Sequence, residues 1–151
     1  MKELLLALVP YTKQNLLIVF QPNQFFNELE KTTGHPKSKL QKTFYRAKSE
    51  RILSYSNGQI ELTLKGRQLV QPFIAEKLSN NAQLMVIFDI PEEFAGRRQR
   101  FRNLLKQLNF KQIQLSVWMT NQDHRTILYE SIAEIELQQW VRLFEASEIS
   151  H

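Results

Sequence analysis

Along the first half of this chain apolar residues recur at helical spacing, broken once by a short alternating stretch. Beyond residue 83, apolar runs of strand length take turns with helical stripes. Residues 3–20 supply apolar positions for one or two helices, which Pro10 breaks or kinks because it lacks an N–H and crowds the preceding turn. Asn23 is placed to cap a helix carrying Phe25, Phe26 and Leu29, and Gly34 to stop it. Pro36 suits the first turn of the next helix, where its missing N–H has no partner to lose, and that helix runs to about Glu50. Leu40, Phe44 and Ala47 stand at i, i+4 and i+7 and predict its buried stripe. Ile52 to Ser56 and Gln59 to Leu62 flank Asn57-Gly58, a pair that tolerates the positive φ of a two-residue turn, and so predict a hairpin. A last helix from near Thr63 is expected to bury Leu69, Val70, Phe73, Ile74 and Leu78.

The polar, turn-forming Ser79-Asn80-Asn81-Ala82 divides the chain into expected domains at 1–79 and 83–151. The second domain opens on Leu84 to Phe88, an apolar run that predicts a central strand buried on both faces. A helix over about Gly96 to Leu108 turns Phe101, Leu104, Leu105 and Leu108 to one side. Arg97, Arg98, Arg100, Arg102 and Lys106 cover the rest of it. Lys111 to Met119 alternates, as a tight pair of strands whose break the pattern does not place. Ile127 to Ile135 predicts a second helix and Leu137 to Phe144 a final strand. Strand, helix, strand, strand, helix, strand is the split βαβ order of ferredoxin-like folds. Helix, helix, basic helix, hairpin, helix in the first half is the order of a winged helix-turn-helix. The fold class expected is therefore α+β, a winged helix followed by a ferredoxin-like domain.

Composition narrows the function classes. With 42% hydrophobic and 23% charged residues the chain has the make-up of a globular domain, and its longest apolar runs, Leu4 to Val9 and Leu16 to Phe20, fall far short of a membrane span. No membrane partner and a cytoplasmic location are expected. The absence of cysteine removes disulfides, thiolate ligands and thiol nucleophiles. The net charge of +5 is unevenly spread: residues 1–82 hold 12 Lys+Arg against 6 Asp+Glu, and residues 83–151 hold 8 against 9. A polyanion partner, double-stranded DNA above all, is thus expected for the first half. On the basic helix Lys39, Lys42 and Arg46 recur at i, i+3 and i+7 with Tyr45 beside them and Lys37 and Lys48 at the flanks. These six, with Asn57 at the hairpin tip, are the candidate DNA contacts, the helix for the major groove and the hairpin as its wing.

Two motifs carry a family resemblance. Leu62-Thr63-Leu64-Lys65-Gly66 resembles the L-T-x-x-G that closes many bacterial winged helices. The strand Leu84 to Phe88 running into Asp89-Ile90-Pro91-Glu92, followed by Gln114-Leu115-Ser116-Val117-Trp118, is similar to a ferredoxin-like domain shared by two families. One is the phenylacetate-operon repressors (PaaX-like); the other is the small adaptation subunit of CRISPR systems. Pro91 and Trp118 resemble the repressors more closely, as does the winged helix ahead of the domain. That resemblance implies a DNA-binding transcriptional regulator acting as a dimeric repressor, its ferredoxin-like domain serving to dimerise. It also implies a third, C-terminal region tied to an acyl-CoA response; only seven residues follow Phe144 here, so the chain is expected to be either a piece of a longer regulator or a short regulator without that region, and the acyl-CoA effector is not expected of it as given.

The other resemblance implies an adaptation subunit with an appended winged helix, partnered by the CRISPR integrase. It would be either a scaffold for spacer integration or a Mg²⁺-dependent endoribonuclease or deoxyribonuclease. Asp89 is then the metal-binding and catalytic carboxylate, one from each chain of a dimer. The residues themselves support this thinly. Asp89 and Asp123 are the only aspartates, the histidines His35, His124 and His151 stand apart, and no base accompanies Ser116. Glu92 and Glu93 equally suit the positive end of the following helix, and ion pairs to Arg97 and Arg98. No catalytic residue, metal or cofactor is expected under the repressor reading. A third class, a protein-interaction adaptor, would show no DNA affinity at low salt.

Overall fold

The structure is a computed structural model that describes residues 1–9, 18–56 and 58–149. The expected break at Pro10, the wing-tip Asn57 and the histidine at 151 lie outside the described residues. The chain divides into two compact units, Met1–Val70 and Gln71–His151.

The first unit holds α1 (Lys2–Ala7), α2 (Pro22–Thr33), α3 (Lys37–Ser49), β1 (Leu53–Ser56), β2 (Gln59–Leu62) and the start of α4 (Leu64–Ile74). Pro22 rather than Asn23 opens α2: its fixed φ suits the first helical position, and Asn23 falls inside the helix without a capping bond. Gly34 ends α2 in the left-handed conformation (φ 70°), its N–H donating to the Glu30 carbonyl at 2.9 Å. The Glu30 carboxylate then accepts the Lys37 N–H at 2.9 Å, so one side chain ties the end of α2 to the start of α3. Pro36 stands just outside α3, its carbonyl accepting the first helical bonds from Lys39 and Leu40. Leu40 and Ala47 are buried and Phe44 half-buried, as the stripe predicts. Phe44 packs edge-on against Phe26 (5.9 Å between centroids), which does the same to the buried Phe25 at 5.1 Å.

The L-T-x-x-G segment has a clear local reason. Leu62 is buried, and the Thr63 hydroxyl donates to the Arg51 carbonyl at 2.8 Å while accepting the Gly66 N–H at 3.2 Å. A β-carbon on Gly66 would run into the Ile52 carbonyl oxygen, so only glycine lets α4 lie this close to the strand entry. Leu69 is half-buried and Val70 buried, but Phe73 and Ile74 are 54% and 46% exposed, against expectation. Leu78 is half-buried.

The second unit contains β3 (Gln83–Phe88), a short 3₁₀ turn (Glu92–Phe94), α5 (Ala95–Gln107), β4 (Lys111–Gln114), β5 (Val117–Thr120), α6 (Arg125–Glu134) and β6 (Val141–Ala146). The strands form one antiparallel sheet in the order β4-β5-β3-β6. Leu84, Val86 and Phe88 are buried; Phe88 packs edge-on against Phe101 of α5 at 5.5 Å. Glu145, the register partner of Leu84, reaches Arg125 of α6 at 3.3 Å. Both helices thus cover the same side, which leaves Met85 and Ile87 half-buried where burial on both faces was expected. The unplaced break is a turn at Leu115-Ser116, with a register shift between Gln112 and Gln114. The final strand begins at Val141, later than expected, because Glu136 in a left-handed conformation (φ 58°) turns the chain out of α6 first. The second compact unit begins at Gln71, and within it residues 76–78 pair with the loop after β5. Leu78 N–H donates to Asn121 at 2.8 Å, Asp123 N–H to Glu76 at 2.8 Å, and Lys77 bridges to Gln122.

Candidate nucleic-acid interface

Burying Leu40 and Ala47 turns the opposite side of α3 outward. Lys39, Lys42, Tyr45 and Arg46 are exposed on that side, Lys48 is exposed at its flank, and Lys37 is half-buried at the start. Arg46 approaches Glu50 at only 3.8 Å, with both side chains well exposed. None of the four lysines has an ion-pair partner among the described residues, so their charge faces solvent uncompensated. The helix end keeps this face in place: Ile52 N–H donates to Ala47 and Arg51 N–H to Lys48, with Arg51 left-handed at φ 55°. This double hydrogen bond closes the helix without the glycine that usually takes the left-handed position.

β1 and β2 pair from Leu53↔Leu62 to Ser56↔Gln59, and Gly58 takes φ 73° in the turn. The hairpin from Leu53 to Leu62 contains no lysine or arginine. Tyr55, absent from the candidate contacts, is 66% exposed and shares with Lys48 and Phe44 the walls of a small crevice of about 30 Å³. Its only signal in the sequence is an aromatic at the outward phase of the alternation.

The arginines of α5 behave differently. Arg97 pairs with Glu136 at 2.6 Å, Arg98 with Glu92 at 2.6 Å and Arg100 with Glu134 at 2.7 Å. Arg102 donates to the Leu115 carbonyl and lies 5.9 Å from the Phe88 ring centre. Asp89 is exposed just past β3, and its backbone N–H donates to the Trp140 carbonyl at 3.0 Å. It does not cap the 3₁₀ turn, whose flanking residue is Pro91. Among the described residues no group of three or more His, Asp or Glu side chains gathers to hold a metal ion. One carboxylate per chain is a sparse donor set for Mg²⁺ unless a second chain or a nucleic-acid phosphate supplies the rest. Ser116 serves the backbone, its carbonyl accepting the Phe88 N–H at 3.1 Å, and Trp118 is buried.

A family model described as the PaaX protein central Cas2-like domain matches residues 80–151. Over residues 80–151, just under half of its length, the chain is thus similar to that PaaX-type domain. No curated protein and no solved structure matches the chain. The order β4-β5-β3-β6 is the ferredoxin-like one this domain calls for. Away from the helices the sheet of the second unit presents a partly exposed apolar strip, flanked by Arg142 opposite Ile87 and Lys111 opposite Met119. Met119, Met85 and Phe144 are register neighbours across three strands, with Ile87 and Val117 beside them. Phe144 is 45% exposed, and Ile113 on the edge strand 57%. No helix among the described residues is long and apolar enough to cross a membrane.

Proposed function

We propose that the chain is a DNA-binding transcriptional regulator, a dimeric repressor of the PaaX type. In this reading the first unit is a winged helix-turn-helix, α3 enters the major groove and the β1–β2 hairpin is the wing. The observation that carries it is the uncompensated cationic face of α3, in contrast to the arginines of α5, which are spent on partners within the second unit. Lys39, Lys42 and Arg46 meet phosphates, Tyr45 a base edge or sugar, and Lys37 and Lys48 the flanking backbone. The open apolar side of the sheet supports a homodimer, because a contiguous exposed apolar patch is costly until covered. A two-fold dimer would present two α3 helices to two half-sites, so the operator is expected to be roughly palindromic.

The test is fluorescence anisotropy of a labelled duplex with the whole chain over a salt series, with and without Mg²⁺, followed by a denaturing gel of the same DNA. Salt-sensitive binding with intact DNA supports the regulator. The Cas2-like character of the domain and the exposed Asp89 sustain one other reading, a Mg²⁺-dependent nuclease or integrase scaffold. Fragments seen only with Mg²⁺ and abolished by Asp89→Asn would replace the regulator with the nuclease. Absence of any DNA affinity at low salt would leave a protein-interaction adaptor.

A further inference from the structure

The second unit contains a half-open cleft of about 470 Å³, within the range of small-molecule sites. One wall is the segment from Lys77 to Gln83, the other the stretch from Asn109 to Ile113, and β5 closes the floor with Met119 and Thr120. Its chemistry is one-sided. Lys77 and Lys111 bring two ammonium groups, Asn81, Asn109 and Asn121 bring carboxamides, and no Asp or Glu lines it. Neither lysine has an ion-pair partner among the described residues. Asn81 and Asn109 both take left-handed backbone conformations, φ 57° and 61°, at the turns that form the rim. Leu78, Ile113 and Met119 add an apolar strip beside these donors.

We propose that this cleft binds a small molecule with a phosphate or carboxylate head on a short apolar body. The two amines neutralise the head while the carboxamides donate to its remaining oxygens, and charge-assisted hydrogen bonds of this kind are the strong ones. The apolar strip covers the body, which a simple ion lacks. Because residues 77–83 form one wall and β5 the floor, a bound ligand also clamps the segment that pairs with the loop after β5. None of the residues lining this site is a candidate DNA contact.

The experiment is calorimetric titration of the whole chain with hexyl phosphate, hexanoate and inorganic phosphate. Saturable binding of hexyl phosphate or hexanoate is expected, and whichever binds more tightly names the head group. Inorganic phosphate should bind roughly tenfold more weakly than hexyl phosphate, since it leaves the apolar strip wet. Lys77→Gln with Lys111→Gln should weaken binding roughly a hundredfold, about tenfold for each charged hydrogen bond removed. Lys106→Gln, which removes one positive charge from α5 outside the cleft, should leave it unchanged. Ile113 and Met119 also border the open side of the sheet, so the titration is run at dilute and concentrated protein. No saturable binding at either concentration overturns the proposal. So does equal loss from Lys106→Gln, which would mean general attraction of anions, or equal binding of phosphate and hexyl phosphate, which would remove the apolar body.

Discussion

Two helices of this chain carry five cationic residues each, α3 with Lys37, Lys39, Lys42, Arg46 and Lys48, and α5 with Arg97, Arg98, Arg100, Arg102 and Lys106. By sequence they look alike, yet their surroundings divide them. On α5 three arginines find glutamates at 2.6–2.7 Å, two of those glutamates on or just after α6. On α3 the one ion-pair partner among the described residues, Glu50, stands 3.8 Å from Arg46, and Glu30 meets the Lys37 backbone N–H, so the lysine ammonium groups stay bare. Cationic count is thus a poor guide to a polyanion site; what matters is whether the fold has already brought acidic groups to the same place. Exposed pairs such as those of α5 add little stability, a median of about 0–1 kcal/mol each. Their consequence is to cancel a positive field that would otherwise compete for nucleic acid.

The comparison breaks or holds most visibly in DNA binding. Replacing Lys39, Lys42 and Arg46 together by glutamine should cost on the order of a hundredfold or more in affinity near 0.1 M salt. It should also flatten the log–log salt slope by between about two and three, near 0.9 for each phosphate no longer neutralised. Replacing Arg97, Arg98 and Arg100 by glutamine should leave affinity and slope unchanged. Equal losses in the two triple variants, measured by anisotropy, would end the distinction between the helices.

Next in size is Gly66→Ala, aimed at the close approach of α4 to Ile52 and Leu62. The added methyl meets the Ile52 carbonyl oxygen and should destabilise the first unit by roughly 1–3 kcal/mol. Gly96→Ala, in α5 with open space around it, should be neutral or slightly stabilising in urea unfolding.

A smaller effect separates the units by pH. His124 is fully buried against Phe110, its ring nitrogens without a well-formed hydrogen bond. Burial pushes its pKa below the usual 6.5, against lesser upward pulls from the nearby Leu108 carbonyl and Asp123. The unfolded chain takes up that proton near 6.5 and the folded one resists it. Stability is therefore full above about pH 6.5 and declines as the pH falls below it. Asp123 adds to the loss only at far lower pH, since its hydrogen bonds to Arg125 hold its pKa below 3.8. Urea midpoints at about pH 7.5 and 5.5 should differ, and His124→Leu should narrow the gap; an unchanged gap would clear His124 of the effect. The smallest change is Arg51→Gly, expected to stabilise the first unit by about 1 kcal/mol by relieving the left-handed backbone. A thermal melt showing no gain would mean the Arg51 side chain contributes more than its conformation costs.

Where a feature arises between near neighbours it was legible before folding. The Leu40–Phe44–Ala47 stripe, the Asn57-Gly58 hairpin and the L-T-x-x-G closure each depend on residues within a few positions, and each element stands where the pattern puts it. The helix ends were harder. α3, α5 and α6 close on Arg51, Asn109 and Glu136, all left-handed and none a glycine, so the usual stop signal is missing. The late start of β6 follows from one of these ends. Tyr55 was invisible as a neighbour of Lys48 because one is on a strand and the other on a helix. The PaaX-type resemblance was legible in Asp89-Ile90-Pro91-Glu92 and Gln114 to Trp118, and the family match to residues 80–151 agrees with it.

By itself the amino-acid order determined the succession of elements, the basic face of α3 and the family resemblance of the second unit, because periodicity, turn chemistry and short motifs act over a few residues. Only the tertiary structure decided which cations are free and which are paired, since Glu134 and Glu136 reach α5 from more than 30 positions away. It also decided that one side of the sheet stays open, and that the segment after α4 belongs with the loop following β5. Each of those outcomes rests on contacts between distant parts of the chain, whose sign and geometry no local pattern encodes.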